Sequence, residues 1–156
     1  MAGQREPAVI AKEIIDGGLY MVVATADSSG QPWASPVYYA HSGYREFFWV
    51  SEPETTHSVN LRERREIGAV IFDSSAPINT GQAVYVLGVA RELPAHETEE
   101  GMAIYSKRSV GHGGKEWTVE DVRPPSRHRL YQGTAEALYV LDEHDHRVEV
   151  DPRSVG

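Results

Sequence analysis

Two segments of this chain, Leu19–Ala26 (LYMVVATA) and Gln82–Arg91 (QAVYVLGVAR), are apolar at both odd and even positions. Successive side chains of a β-strand point to opposite faces. In the first segment Leu19, Met21 and Val23 oppose Tyr20, Val22 and Ala24; in the second Val84 and Val86 oppose Tyr85, Leu87 and Val89. A lone small barrel has one interior and cannot bury both faces. Each Å² of apolar surface left in water costs about 25 cal/mol, and large exposed apolar patches mark interfaces. The expectation is a β-rich homodimer, two-fold closure being the commonest way to cover such a face.

The rest of the chain alternates strand and turn signals. Pro7–Ile15 has the spacing of a short amphipathic helix with Ile10, Ile14 and Ile15 on one side, stopped by Gly17 and Gly18. Turn residues at Asp27–Gly30 and Ser42–Gly43 separate Leu19–Ala26, Trp33–Ala40 and Tyr44–Ser51, which predicts an antiparallel meander. Ser51-Glu52-Pro53-Glu54 fits a capping box opening a helix that runs to about Glu63. Strands are expected at Ile67–Asp73, Gln82–Arg91 and Leu130–Leu141. A helix is expected over Pro94–Ser109, with Met102, Ala103 and Tyr105 inward, followed by an irregular Val110–Pro125. About six strands joined by short turns favour a closed or nearly closed barrel, and the polar tail from Asp142 is expected to fray. The class is therefore β-rich α+β, one domain over 1–156 with 142–156 as a tail.

Composition removes several functions. A formal net charge of −8 argues against nucleic acid, which needs a basic footprint. No run reaches the ~20 apolar residues of a membrane helix, and Met1–Pro7 lacks the apolar stretch of a signal peptide. With no cysteine, thiolate chemistry is absent. The expectation is a cytoplasmic protein with no membrane partner.

Familiar motifs fail on spacing. Gly111-His112-Gly113-Gly114-Lys115 lacks the first glycine of a phosphate loop and carries Glu116 after the lysine. His96-Glu97-Thr98-Glu99-Glu100 lacks the second histidine of a zinc helix. His144-Asp145-His146 sits in the polar tail without a third ligand, so no metal site is expected.

An ordered set of segments carries a resemblance. Ala34-Ser35-Pro36-Val37 is followed by Phe47-Phe48-Trp49-Val50-Ser51, then Thr55-Thr56-His57-Ser58 with Asn60-Leu61, then Ile67–Phe72, then Gly81-Gln82-Ala83-Val84-Tyr85. In this order the chain resembles the flavin mononucleotide (FMN)-binding split-barrel family related to pyridoxamine 5′-phosphate oxidase, over roughly residues 8–141. The resemblance implies an antiparallel split β-barrel with flanking helices and an FMN-dependent oxidoreductase acting on a small-molecule substrate. It implies that Ser51, Thr55, Thr56 and His57 hold the phosphate and that Trp33, Ser35, Pro36 and Val37 line the ring. It also implies that Gln82 reaches the flavin across a subunit interface.

The chemistry is consistent with that likeness. A strand running into a helix N-terminus offers unpaired N–H groups and partial positive charge to an anion. Hydroxyls and a charged imidazole at His57 would add donors, and Arg62 would reach back if the helix is short. Pro36 lacks an N–H and favours a sheet edge. Close relatives of the oxidase place arginine and lysine where this chain has Thr56 and His57, and Arg127-His128-Arg129 lacks the oxidase's Arg-x-His spacing. Vitamin B6 oxidation itself is therefore not expected. The alternatives are an enzyme using the deazaflavin F420 in the same fold and a non-catalytic flavin- or haem-binding protein. The residues point to no catalytic base.

Overall fold

The computed structural model describes residues 5–156. In chain order the elements are α1 (Pro7–Gly17), β1 (Tyr20–Ala26), β2 (Pro32–Tyr38), β3 (Ala40–Ser42), β4 (Glu46–Ser51) and α2 (Thr56–Glu63). They continue with β5 (Glu66–Phe72), β6 (Ala83–Glu92), α3 (Glu99–Gly111), β7 (Arg129–Leu141) and β8 (Arg147–Val150). All pairings are antiparallel, in the order β2-β1-β5-β6-β7-β4-β3, with β8 on the free stretch of β7.

The two ends of the curled sheet are joined through the chain itself. The first and last strands of that order, β2 and β3, are consecutive, with only Tyr39 between them. One extended stretch thus bends at Tyr39, pairing with β1 on one side of the bend and with β4 on the other. The expected meander is corrected here. β1–β2 and β3–β4 are hairpins, but β2 and β3 do not pair, so Trp33–Ala40 is not one strand.

Alternation decides which side chains fill the interior. Met21, Val23, Val84, Val86, Leu138 and Val140 point inward and are buried with Trp49, Tyr131 and Phe47. A helix packs at each end of this core. α1 buries Ala11 and Ile15, with Ile10 and Ile14 partly buried against them. It ends at Gly18, whose N–H donates to the Ile14 carbonyl. A Cβ there would lie 2.8 Å from Ile71 and from the Tyr39 hydroxyl, so the close approach needs glycine. α2 buries His57, Ser58, Asn60 and Leu61 at the other end. A second cluster lies outside the barrel, where Met102 and Tyr105 of α3 pack on Ala40, Phe48 and Leu130.

Four other expectations change. The capping box at Ser51 does not form, because Ser51 stays in β4, paired with Arg129; the helix starts four residues later than expected, with Thr55 as its N-cap. Ladder bonds on β7 outcompete a local cap. A separate 3-10 turn at Ala95–Glu97 precedes α3, and Ala103 is exposed rather than inward. The strand count rises from about six to 8. Finally, the tail does not fray: Val150 and Val155 are buried in the barrel core, and the hairpin leading to β8 is fixed by Asp142, which accepts from the N–H groups of His144 and His146.

β6 carries a bulge at Leu87/Gly88 opposite β7. A Cβ on Gly88 would sit 2.0 Å from the Thr134 carbonyl oxygen, so only glycine fits.

Candidate functional site

The β4–α2 junction gathers the hydroxyl-bearing residues. Ser51 ends β4, and its Oγ lies 2.9 Å from His57 Nε2. Thr55 Oγ1 lies 3.3 Å from the same nitrogen, 2.8 Å from Ser58 Oγ and 3.0 Å from the Glu52 carbonyl. Thr55 therefore spends its hydroxyl on neighbours and does not cap α2. The first helical backbone bond at this end is Val59 N–H to Thr55 O, 2.9 Å. The N–H groups of Thr56, His57 and Ser58 precede it and lack helical acceptors, as at any helix start. The Thr56 side chain is exposed beside them.

This donor set fits an anion. Neutral N–H and O–H donors surround a helix N-terminus, where negative charge is favoured. Arg62 does fold back over the short helix: it donates to the Pro53 carbonyl and lies 3.3 Å from Glu54. Arg127 pairs with Glu52 at 2.8 Å.

His57 differs from the sequence expectation. It is only 7% exposed, and burial pushes its imidazole below the ordinary histidine range. Burial thus favours the neutral ring over the charged donor expected from the sequence.

The residues expected to line a ring, Trp33, Ser35, Pro36 and Val37, lie on β2. This strand pairs only with β1 and leaves its other edge open, the position Pro36 favours. Trp33 is half exposed, and its Nε1 donates to Ser35 Oγ at 2.9 Å. Ser35 is half-buried and Val37 is buried. α2 and β2 are connected through β1. Thr25, opposite Trp33 in the ladder, accepts a 3.0 Å hydrogen bond from Asn60 of α2.

Gln82 is not brought to this place. Its Nε2 donates to the Leu141 carbonyl at 2.8 Å, and its Oε1 accepts from the N–H groups of Leu141 and Ala83. The amide side chain thus extends the β6–β7 ladder by one rung. Ser51 pairs with Arg129, at the opposite end of the 13-residue β7. Within one chain the two halves of the expected site lie at opposite ends of the barrel.

The outer face of β1, β5 and β6 carries a hollow of about 660 Å³. Ala24, Ala34 and Gly68 form a shallow floor, with Val22, Val70, Tyr85 and Leu87 around it. Leu87 is 53% exposed, whereas its inward neighbour Val86 is 3% exposed. Sequence reasoning identified this two-faced pattern but missed the Asn60–Thr25 link, whose partners stand 35 residues apart. Among the described residues, no helix is long and apolar enough to cross a membrane.

Comparison with known proteins gives a consistent fold. Residues 11–142 match the family model described as pyridoxamine 5′-phosphate oxidase. None of the curated proteins matches. A haem-binding protein from Mycobacterium smegmatis superposes with a TM-score of 0.75 at 16% identity, covering 97% of this chain, which spans only 60% of that protein. A Clostridium acetobutylicum protein related to general stress protein 26, of the pyridoxinephosphate oxidase family, gives 0.67 at 14% identity over 96% of both chains. The haem storage protein HutZ of Vibrio cholerae gives 0.65 at 16% identity, over 83% of this chain and 90% of its own. At these identities the structures establish a shared split-barrel fold and nothing finer.

Proposed function

This chain belongs to the pyridoxamine 5′-phosphate oxidase family, and from that membership we propose that it is an FMN-dependent oxidoreductase. The observation carrying this reading is the uncapped N-terminus of α2, whose leading N–H groups and exposed Thr56 hydroxyl make a neutral donor set suited to a phosphate. Trp33, Ser35, Pro36 and Val37 on the open edge of β2 are the proposed ring contacts. His57 supports the phosphate site from beneath as a neutral ring. When bound, the flavin supplies the redox chemistry, and the protein supplies binding, orientation and exclusion of water.

The functional unit in this reading is a homodimer. The exposed outer face of β1, β5 and β6 is the proposed contact, a second copy being the partner whose surface has the same apolar character. A two-fold pairing also accounts for the separation of Gln82 from Ser51, since the far end of one barrel would then serve the near end of the other. Gln82 retains one amide hydrogen for such a contact, its other groups being committed to the ladder.

A non-catalytic haem protein is the second reading. It is favoured by the haem-related descriptions of two similar structures. It is also favoured by His112, whose Nδ1 meets the Tyr38 hydroxyl at 2.8 Å beside a small hollow lined by Leu19 and Tyr20. One experiment separates the readings: absorption and mass spectrometry of ligand released from the purified protein. A flavin spectrum with the mass of the mononucleotide supports the oxidoreductase. A Soret band replaces it with the haem protein, and the mass of F420 with a deazaflavin enzyme of the same fold.

A further inference from the structure

α2 sits on the barrel through a polar rather than an apolar seat. Of its four buried residues only Leu61 is apolar. His57 meets Ser51 on β4 at 2.9 Å, and Asn60 donates to Thr25 on β1 at 3.0 Å. The helix is thereby tied to two different strands. Apolar contacts tolerate sliding, whereas hydrogen bonds are directional, and buried polar contacts cost stability unless each partner is satisfied.

The second tie differs from the first. His57 holds the helix to β4, on its own side of the candidate site. Asn60 holds it to β1, and Thr25 is the ladder partner of Trp33. Residues directly opposite in an antiparallel pair share a face. A helix bond, a strand bond and a side-chain neighbour therefore connect α2 to β2, and both Asn60 and Thr25 are buried, 5% and 4% exposed.

We infer that the buried Asn60–Thr25 hydrogen bond sets the span between the α2 N-terminus and the Trp33–Val37 strand, and through that span the length of ligand the site takes. This rests on the flavin reading above. Asn60 and Thr25 are positioning residues: neither reaches the ligand, and their effect passes through the helix and the strand. A ligand carrying a ring at one end and a phosphate at the other feels the span. A ligand lacking the phosphate does not.

The test pairs Asn60→Leu with Thr25→Val. Replacing both hydrogen-bond partners by apolar groups of similar shape is nearly neutral for stability, so the double variant is expected to melt close to wild type. Dissociation constants for FMN and riboflavin are read by flavin fluorescence. The ratio of riboflavin to FMN constants should fall at least tenfold in the double variant and stay at the wild-type value in Thr25→Ser, which keeps the hydroxyl. If the double variant does not fold, Thr25→Val alone decides by the same ratio. A folded variant with the wild-type ratio overturns the inference while leaving the flavin reading standing. Wild-type protein that binds neither flavin removes both.

Discussion

The guanidinium of Arg108 lies 4.6 Å from the centroid of the Tyr39 ring and donates to the Tyr39 carbonyl at 2.7 Å. The same group donates to the carbonyls of Gly18, Asp16 and Ile15 at 2.6, 3.2 and 3.3 Å. Tyr39 in turn donates to Ile15 O at 2.6 Å. One cation on α3 therefore ties the end of α1 to the bend that joins the two ends of the sheet, and it satisfies helix C-terminal carbonyls that favour positive charge.

Arg108→Ala should destabilise the fold by about 3 kcal/mol, the upper range for charged hydrogen bonds lost with buried acceptors left unmet. Arg108→Lys should recover only part, because an ammonium lacks the planar fork. Chemical denaturation measures both. Equal stability of Ala and wild type would show that water replaces the guanidinium at no cost.

Thr55→Ala combined with Thr56→Ala should weaken FMN binding by about 1–3 kcal/mol, the range for hydrogen bonds lost to a bound group. Riboflavin affinity should hardly change. If titration shows equal wild-type affinity for the two flavins, the phosphate does not sit at α2.

The dimer is tested on the outward residue. Val86 is unsuitable for a charge insertion because it fills the barrel core, so Leu87→Glu is the informative variant. It should sediment as a folded monomer with weakened flavin binding, because the proposed shared site links ligand to assembly. A wild-type monomer binding FMN at full affinity would refute the shared site.

Acid should destabilise the protein below the ordinary histidine value of ~6.5. Burial lowers both His57 and His41, although Asp16 draws His41 the other way. With the folded value depressed, the unfolded chain binds more protons in that window, and stability falls as pH drops through it. The melting temperature should decline between about pH 7 and 5.5, and less steeply in His57→Gln. Identical slopes in the two proteins would exclude His57 from the effect.

The sequence showed what period-two alternation can show. Met21 and Val23 against Tyr20 and Val22 located a two-faced strand, and Pro36 located an open edge. It failed where a distant partner decides. Ser51 reads as a helix cap from its neighbours, but pairing with Arg129 keeps it in a strand. Gln82 carries no sign in its own neighbourhood that Leu141, 59 residues away, engages its amide within the chain. The tail looked polar because Asp142–His146 masks the short alternation of Val148 and Val150.

The bend at Tyr39 also imposes an order on how the barrel is made. The hairpins β1–β2 and β3–β4 form from neighbouring residues and share one continuous stretch, so they can assemble as soon as residues 20–51 exist. The seam that completes the wall, Ser51 against Arg129 onward, joins residues nearly 80 positions apart. Loop closure over that distance is slow relative to hairpin formation. On a ribosome, β4 therefore waits with an open edge until most of the chain has been synthesised, and the barrel is sealed last by the strand that pairs with three others, β4, β6 and β8.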